Sequence, residues 1–271
     1  MESKTRTGVR ALLAGALLTA MLAAPTPASA QPLAHPEDDY AGSQIARHEG
    51  TGTGAAPLLD VRANDDAMGL DVASYQGNVD WAAVARNGGS FAYSKATEGV
   101  TYTNPYFGQQ YNGSYSAGLA HGAYHFALPD VSDGATQANY FVDHGGAWSR
   151  DGRTLPPALD IEYNPYGDTC YKLTPDQMTA WIKAFSDQIW YRTGIAPAIY
   201  TSYTWWTKCT GNTNVMRGNP LWIPHYGTDV GTLPAGWTSQ AIWQFADKGT
   251  FPGDQNRFNG NASRLRAFTL G

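Results

Sequence analysis

Eight short apolar runs punctuate this chain, at 69–74, 91–96, 122–128, 158–162, 196–202, 221–226, 241–245 and 265–270. Each has the length of a strand, and most are continuous rather than alternating, the pattern of parallel strands covered on both faces. Helical stretches separate the earlier runs. The spacing predicts helices over 79–86 after the possible cap Asn78, over 104–117 with Pro105 at the first helical position, and over 132–144. The clearest covers 174–193: Thr174 is the N-cap, Pro175 opens the first turn, Gln177 completes a capping box and Gly194 ends the helix. Later connections are short and loop-like. The succession predicts an α/β fold, an irregular (β/α) barrel of eight mostly parallel strands with fewer outer helices, TIM-barrel-like. An open doubly wound sheet is the alternative. It usually carries a Gly-rich phosphate turn after its first strand, and Asp71-Val72-Ala73-Ser74-Tyr75-Gln76-Gly77 is not one.

The barrel pattern occupies 67–271, and the segments before it differ from it. Residues 1–30 read as a secretory signal: Lys4, Arg6 and Arg10 form a basic region, an uncharged apolar stretch follows from Ala11 to Ala24, and Ala28-Ser29-Ala30 supplies small residues for cleavage before Gln31. The apolar stretch is short for a membrane span, so a secreted, extracellular protein is expected. Residues 31–66 hold Pro, Gly, Thr, Ala, Asp and His with little hydrophobic period, and are expected to be a flexible linker or propeptide. The two cysteines, Cys170 and Cys209, both follow the signal; an even pair in an exported chain predicts one disulfide.

Charge and aromatic content narrow the partners. The formal net charge is -5 and Lys and Arg do not cluster, which argues against a nucleic-acid-binding face. Aromatic residues make up 13% of the chain and charged residues 15%. An exported chain rich in Trp and Tyr fits a carbohydrate binder, because pyranose rings present apolar faces that stack on aromatics, although many of these rings belong to a core. No membrane partner, no cofactor and no metal are expected, and the chain is expected to be a monomer.

The run from Leu155 to Tyr163 ends in Asp160-Ile161-Glu162. In a strand, residues i and i+2 face the same side, about 6.5 Å apart at Cα. Two carboxylates so placed repel, which raises the pKa of one and keeps it protonated near neutral pH. A neutral acid beside an anionic one suits glycosidic bond cleavage, provided both reach one open face. In a parallel barrel, chemistry sits at the C-terminal ends of the strands. Those ends deliver Asp71, Lys95 and Glu98, Tyr124 and His125, Asp160 and Glu162, Tyr200, His225 and Tyr226, then Trp243 and Gln244, with Asp254 and Asn256 in the loop before the last run.

Several motifs in register give a resemblance. Gly69-Leu70-Asp71-Val72-Ala73-Ser74-Tyr75-Gln76-Gly77 is followed by Val79-Asp80-Trp81, Phe91-Ala92-Tyr93-Ser94-Lys95-Ala96-Thr97-Glu98-Gly99, Gly122-Ala123-Tyr124-His125-Phe126, Leu159-Asp160-Ile161-Glu162, Leu221-Trp222-Ile223 and Trp243-Gln244-Phe245. In this order they resemble glycoside hydrolase family 25, the Chalaropsis-type lysozymes or N-acetylmuramidases. The resemblance implies hydrolysis of the β-1,4 bond between N-acetylmuramic acid and N-acetylglucosamine, with peptidoglycan glycan strands as the partner. It implies Glu162 as general acid and Asp160 as the carboxylate that supports participation by the sugar's 2-acetamido group. Asp71 falls at the family's first acidic position. Asp254 falls at the fourth, although Gly253 precedes it where Val is commoner. Tyr75, Tyr93, Tyr124, Tyr200, Trp222, Tyr226 and Gln244 are the expected substrate-binding residues.

Plainer readings stand beside these. Lys95 and Glu98 fit a structural ion pair, and His125 fits a hydrogen-bonded core histidine. His121 and His125 have the spacing of a helical zinc pair, but their segment reads as strand and no third ligand is evident. Ser114-Tyr115-Ser116-Ala117-Gly118 lacks the first glycine of a nucleophile elbow. Two other functions remain: a non-catalytic cell-wall glycan-binding barrel, and a chitinase-like hydrolase. The second usually carries further acids and glycine upstream on the same strand, where this chain has Pro156-Pro157-Ala158-Leu159.

Overall fold

The computed structural model describes residues 1–2, 37–50 and 66–271. The remainder of the expected signal segment, and much of the expected linker, lie outside the described residues. A short helix α1 (Ser43–Glu49) precedes the barrel. The barrel then runs β1 (Met68–Val72), α2 (Trp81–Arg86), β2 (Gly89–Glu98), β3 (Tyr102–Thr103), α3 (Phe107–Ser116), β4 (Ala120–Phe126), α4 (Gly134–Asp143), β5 (Ala158–Asp160), α5 (Pro175–Thr193), β6 (Ala198–Tyr200), α6 (Tyr203–Thr210), β7 (Leu221–Pro224), β8 (Ile242–Ala246), β9 (Asp254–Phe258) and α7 (Ala262–Phe268).

The strands follow the order β1-β9-β8-β7-β6-β5-β4-β2, and β2 returns to pair with β1, which closes the barrel. Neighbours from β1 through β8 pair in parallel. Only β9 is antiparallel to both its barrel neighbours. The two-residue β3 folds back on the end of β2 as a side hairpin. No helix separates β7 from β8 or β8 from β9, which matches the thinning of outer helices expected from the short late connections.

One predicted strand is corrected. Residues 265–270 lie in and just after helix α7, whose N-cap Asn261 accepts a hydrogen bond from the Arg264 amide. The closing strand is instead Asp254–Phe258, a polar stretch in which Asp254, Gln255, Asn256 and Phe258 are buried. Its inward residues belong to the polar mouth, so a search for apolar runs passes over it. Asp254 accordingly opens the last strand rather than lying in the loop before it. Other predicted strands survive with trimmed ends, such as 158–162, which ends as β5 at Asp160. Helix α2 is capped by Asp80, not Asn78. Helix α5 has the caps read from the sequence: Thr174 and Gln177 exchange hydrogen bonds, and Gly194 ends the helix at φ 80°.

Register sets which side chains look inward. Asp71 lies opposite Tyr93, Lys95 opposite Tyr124, Phe126 opposite Asp160, and Asp160 opposite Tyr200. Alternation along each strand then places aromatic rings in the barrel and polar groups toward its C-terminal end. Tyr93 stacks on Trp222 with centroids 4.8 Å apart, and Tyr200 meets the same indole edge-on at 5.0 Å. On the outside, Leu70, Val72, Val79 and Trp81 form a smaller cluster beneath α2.

Cys170 and Cys209 are bonded, tying the loop after β5 to α6 across 39 positions of sequence. A loop of that size is worth about 4 kcal/mol by chain entropy, less any relief in the native state. The double change Cys170→Ala, Cys209→Ala is expected to cost about 2–4 kcal/mol, read as a lower denaturant midpoint in equilibrium unfolding. An unchanged midpoint would remove the disulfide from the stability argument.

Candidate active site

Strand β5 delivers Asp160 at its last position, and Glu162 follows two residues later. Both side chains turn into the mouth of the barrel, and both are about 1% exposed. Neither carboxylate oxygen of Asp160 has a hydrogen-bond partner among the described residues. Burial, and then the charge of Glu162, raise its pKa well above the ordinary carboxylate range. Glu162 differs. Its Oε1 accepts the Gly42 amide at 2.8 Å and its Oε2 accepts the Ile45 amide at 3.1 Å. Burial pushes the Glu162 carboxyl up to about 8, while the amides of Gly42, Ile45 and Gln44 pull the other way.

A second pair of acids meets across β1 and β9, where Asp71 and Asp254 stand directly opposite. Asp71 Oδ2 accepts from Gln244 Nε2 at 2.9 Å and from Asn256 Nδ2 at 2.6 Å. Burial pushes Asp71 up to about 7 against those two donors. Asp254 is raised well above its usual range by burial and by Asp71, and its Oδ2 has no partner among the described residues. Gln244 also accepts from the Tyr200 hydroxyl at 2.7 Å and lies 3.0 Å from that of Tyr226. The four predicted acids thus share one mouth, bridged by amide and phenol groups.

The remaining predicted residues divide. Tyr124, Tyr200, Tyr226 and Gln244 sit at the mouth, with the Tyr124 hydroxyl accepting the Ala41 amide at 3.3 Å. Tyr75 is on the rim, 58% exposed, its ring stacked on Tyr40. Tyr93 and Trp222 are fully buried deeper in the barrel. The Tyr93 hydroxyl donates to the Pro156 carbonyl, and the Trp222 indole donates to Asn256. These two rings support the floor of the site from below.

Lys95 and Glu98 pair at 2.6 Å with neither exposed to solvent, and Asp39 joins them 3.1 Å from the Lys95 amine. Burial favours neutral Lys95, but Glu98 and Asp39 outweigh it and raise its pKa. His125 lies on the outer face of β4, between Thr97 Oγ1 and Gln137 Oε1 and beneath Phe141 and Phe185. Burial pushes its pKa down to about 3, so it stays neutral in the core.

Sequence reasoning missed Tyr163, Tyr166 and the segment 38–49. Tyr163 stacks on His48 and donates to Glu49; Tyr166 donates to Glu98 at 2.7 Å. Tyr163 adjoins Glu162, the one signal that could have flagged it. The segment has none, because its partners lie up to 203 residues away in the chain. It also closes the site, against the expectation that both carboxylates reach solvent. Ala41, Gly42 and Ile45 lie directly on Tyr124, Gln244 and Glu162.

The family model for glycosyl hydrolases family 25 matches residues 70–254. The chain belongs to glycosyl hydrolase family 25. It is a glycoside hydrolase of the lysozyme type. Lysozyme M1 of Streptomyces globisporus is 42% identical over 274 residues, covering 94% of this chain and 92% of that protein. An N,O-diacetylmuramidase of a Chalaropsis species is 44% identical over 209 residues, covering 75% of this chain and 99% of that one. The solved muramidase from Acremonium alcalophilum superposes with a TM-score of 0.75 at 50% identity, covering 76% of this chain and 99% of its own. The barrel alone is about three-quarters of the chain, so the Streptomyces match extends into the N-terminal part.

The raised acids make stability pH-dependent. Asp71 goes from 3.8 to about 7 and Glu162 from 4.5 to about 8, so the folded state binds these protons more tightly than the unfolded chain. The contribution is full below about pH 4 and is lost as pH rises through the folded values. The denaturant midpoint of this family 25 chain is expected to fall between about pH 4.5 and about pH 8, and Asp71→Asn to flatten that fall. A midpoint that rises over this range would contradict the assignment.

Proposed function

We propose that this family 25 enzyme is a secreted 1,4-β-N-acetylmuramidase. It hydrolyses the bond between N-acetylmuramic acid and N-acetylglucosamine in peptidoglycan, with Glu162 as general acid. The observation that carries the reading is the convergence of Glu162, Asp160, Asp71 and Asp254 on one barrel mouth, within a chain of this family. A lectin has no need to hold four mutually repelling acids together, at a cost in desolvation that only chemistry offsets.

The steps follow from the charges. Neutral Glu162 donates its proton to the bridging oxygen, and the bond from that oxygen to the anomeric carbon of N-acetylmuramic acid breaks. The carbonyl oxygen of the same sugar's 2-acetamido group forms the new bond to that carbon, giving a cyclic intermediate. Asp160, as the anion, accepts from the acetamido N–H and balances the developing positive charge. Water then adds to the anomeric carbon as the bond from that carbon to the acetamido oxygen breaks and the acetamide is regenerated, and the water loses its proton to Glu162, which restores the acid. This is substrate assistance rather than the usual pair of protein carboxylates. Asp160, unpaired in the closed site, is the group whose charge state a bound acetamide would change. Asp71, held by Gln244 and Asn256, sets the field around the pair, and Asp254 sits beside it.

Export follows from the basic, apolar and small-residue order of residues 1–30, and the one disulfide suits an oxidising compartment. No helix among the described residues is long and apolar enough to cross a membrane. The Tyr75 face and the Tyr124, Tyr200 and Tyr226 hydroxyls supply sugar contacts in this reading. The protein acts on glycan strands as a monomer.

Mass spectrometry of fragments released from purified peptidoglycan is expected to show new N-acetylmuramic acid reducing ends with the β anomer retained. Glu162→Gln is expected to lower the rate about 10²–10⁴-fold while binding to intact walls persists. A variant with full activity would remove Glu162 as the acid. An inverted product would replace acetamido participation with direct attack by water.

A further inference from the structure

We propose that residues 38–49 are an intramolecular inhibitor, a peptide ligand of the barrel mouth that occupies the place of the glycan until it is displaced. The inference rests on reading the mouth as the glycan site. Six observations support it.

The segment touches the groups that bind and cut. Glu162 receives an amide on each oxygen, so the segment's backbone occupies the positions from which the carboxyl would meet a leaving oxygen. Gln244 Nε2 donates to the Ala41 carbonyl at 3.0 Å. The segment's amides and carbonyl satisfy the polar groups that a sugar's hydroxyls and acetamide would otherwise satisfy.

Gly42 is built for this insertion. Its φ is 97°, and a Cβ there would lie 2.5 Å from the Tyr226 hydroxyl, 2.6 Å from Gln244 Oε1 and 2.9 Å from Asp254 Oδ2. Only glycine combines that backbone conformation with that approach.

The segment is anchored on both sides of Gly42. Upstream, Asp39 is fully buried and paired with Lys95, and its backbone carbonyl also accepts from the Lys95 amine. Downstream, Ile45 is 1% exposed within the main core cluster, and Glu49 accepts from Tyr163 and Ser202. A passing linker does not bury a carboxylate against a lysine in this way.

Two flat rings lie on two aromatic platforms. Tyr40 stacks on Tyr75 with centroids 5.5 Å apart at 12°, and His48 stacks on Tyr163 with centroids 4.2 Å apart at 5°. Face-on stacking on an aromatic ring is also how a pyranose binds, so the segment imitates sugar at both ends of its contact.

The groove continues past the segment. A cavity of about 710 Å³ adjoins α1, lined by Ile45, His48, Glu49, Tyr203, His225 and Tyr226. The segment therefore fills the stretch over the carboxylates and leaves one end of the channel open.

Coverage by relatives agrees. The Streptomyces lysozyme aligns well into this N-terminal part, whereas the solved fungal muramidase is matched over 99% of its length by the barrel's share of the chain.

Tethering makes a modest ligand effective, since a ligand carried on the same chain binds intramolecularly at a raised effective concentration. Hydrolysis of one peptide bond between residues 50 and 67 by an endopeptidase consumes one water and leaves a carboxylate and an amine. The ligand then becomes diffusible, and the mouth opens to glycan.

The test uses the full chain, with Gly42→Leu and Ile45→Asp as two independent ways to expel the segment. The probe is a thioglycoside-linked tetrasaccharide of alternating N-acetylglucosamine and N-acetylmuramic acid, which binds without being cut. Both variants, checked for native near-ultraviolet circular dichroism, are expected to bind it at least about tenfold more tightly than the natural chain. Hydrogen exchange at residues 41–45 is expected to be fast in the variants and protected in the natural chain. A synthetic peptide of residues 37–50 is expected to compete with the probe on Gly42→Leu. Equal binding by natural and variant chains, or protection of 41–45 that persists with the probe bound, would overturn the inhibitor. If binding rises in the variants and none of the chains cuts peptidoglycan, the inhibitor stands and the muramidase reading falls.

Discussion

Desolvation of carboxylates at one end of the barrel is the constraint on which the rest of this structure depends. Four acids lie where water is excluded, and each is raised by burial before any other influence acts. Such a cluster is stable only if protons, amides and phenols share the charge among them. Gln244 is the clearest instance. One amide binds Asp71 and the Ala41 carbonyl through its nitrogen, and the Tyr200 and Tyr226 hydroxyls through its oxygen. Closure of the barrel by an antiparallel β9 is part of the same solution, because it sets Asn256 within 2.6 Å of Asp71.

The same desolvation explains how a short peptide can hold the mouth. Among the described residues neither oxygen of Asp160 nor the Oδ2 of Asp254 has a hydrogen-bond partner, which favours a ligand bringing donors. Residues 41–45 bring backbone amides to Glu162 and Tyr124. In the closed arrangement the donors fall on Glu162, while Asp160 has none. The proposed reaction needs a neutral Glu162, which burial already favours, and an anionic Asp160, which has no donor while the segment is in place. Under the inhibitor proposal, opening the mouth would let a ligand supply the donor that Asp160 lacks as well as admit that ligand.

Much of the architecture was legible because it is written in local terms. Apolar runs marked seven of the eight barrel strands, and the capping box at Thr174 and Gln177 marked the longest helix to its ends. Asp160 and Glu162 stood out because their spacing and strand context need no distant information. The eighth strand was misplaced because Asp254 and Asn256, polar and inward-facing, break the apolar pattern in the region that serves the site. Tyr93 and Trp222 show the opposite limit: a ring at a strand end and a ring one layer deeper read alike until register is known.

By itself, the amino-acid order determined the barrel class, the carboxylate pair and the family, since strand length, helix caps and motif succession are properties of neighbouring residues. Only the tertiary structure decided that Asp71 faces Asp254, that Gln244 joins the acids, and that Gly42 sits upon Glu162. Those contacts link residues more than a hundred positions apart. They depend on where chain closure brings buried charge and unpaired amides together, which no local pattern encodes.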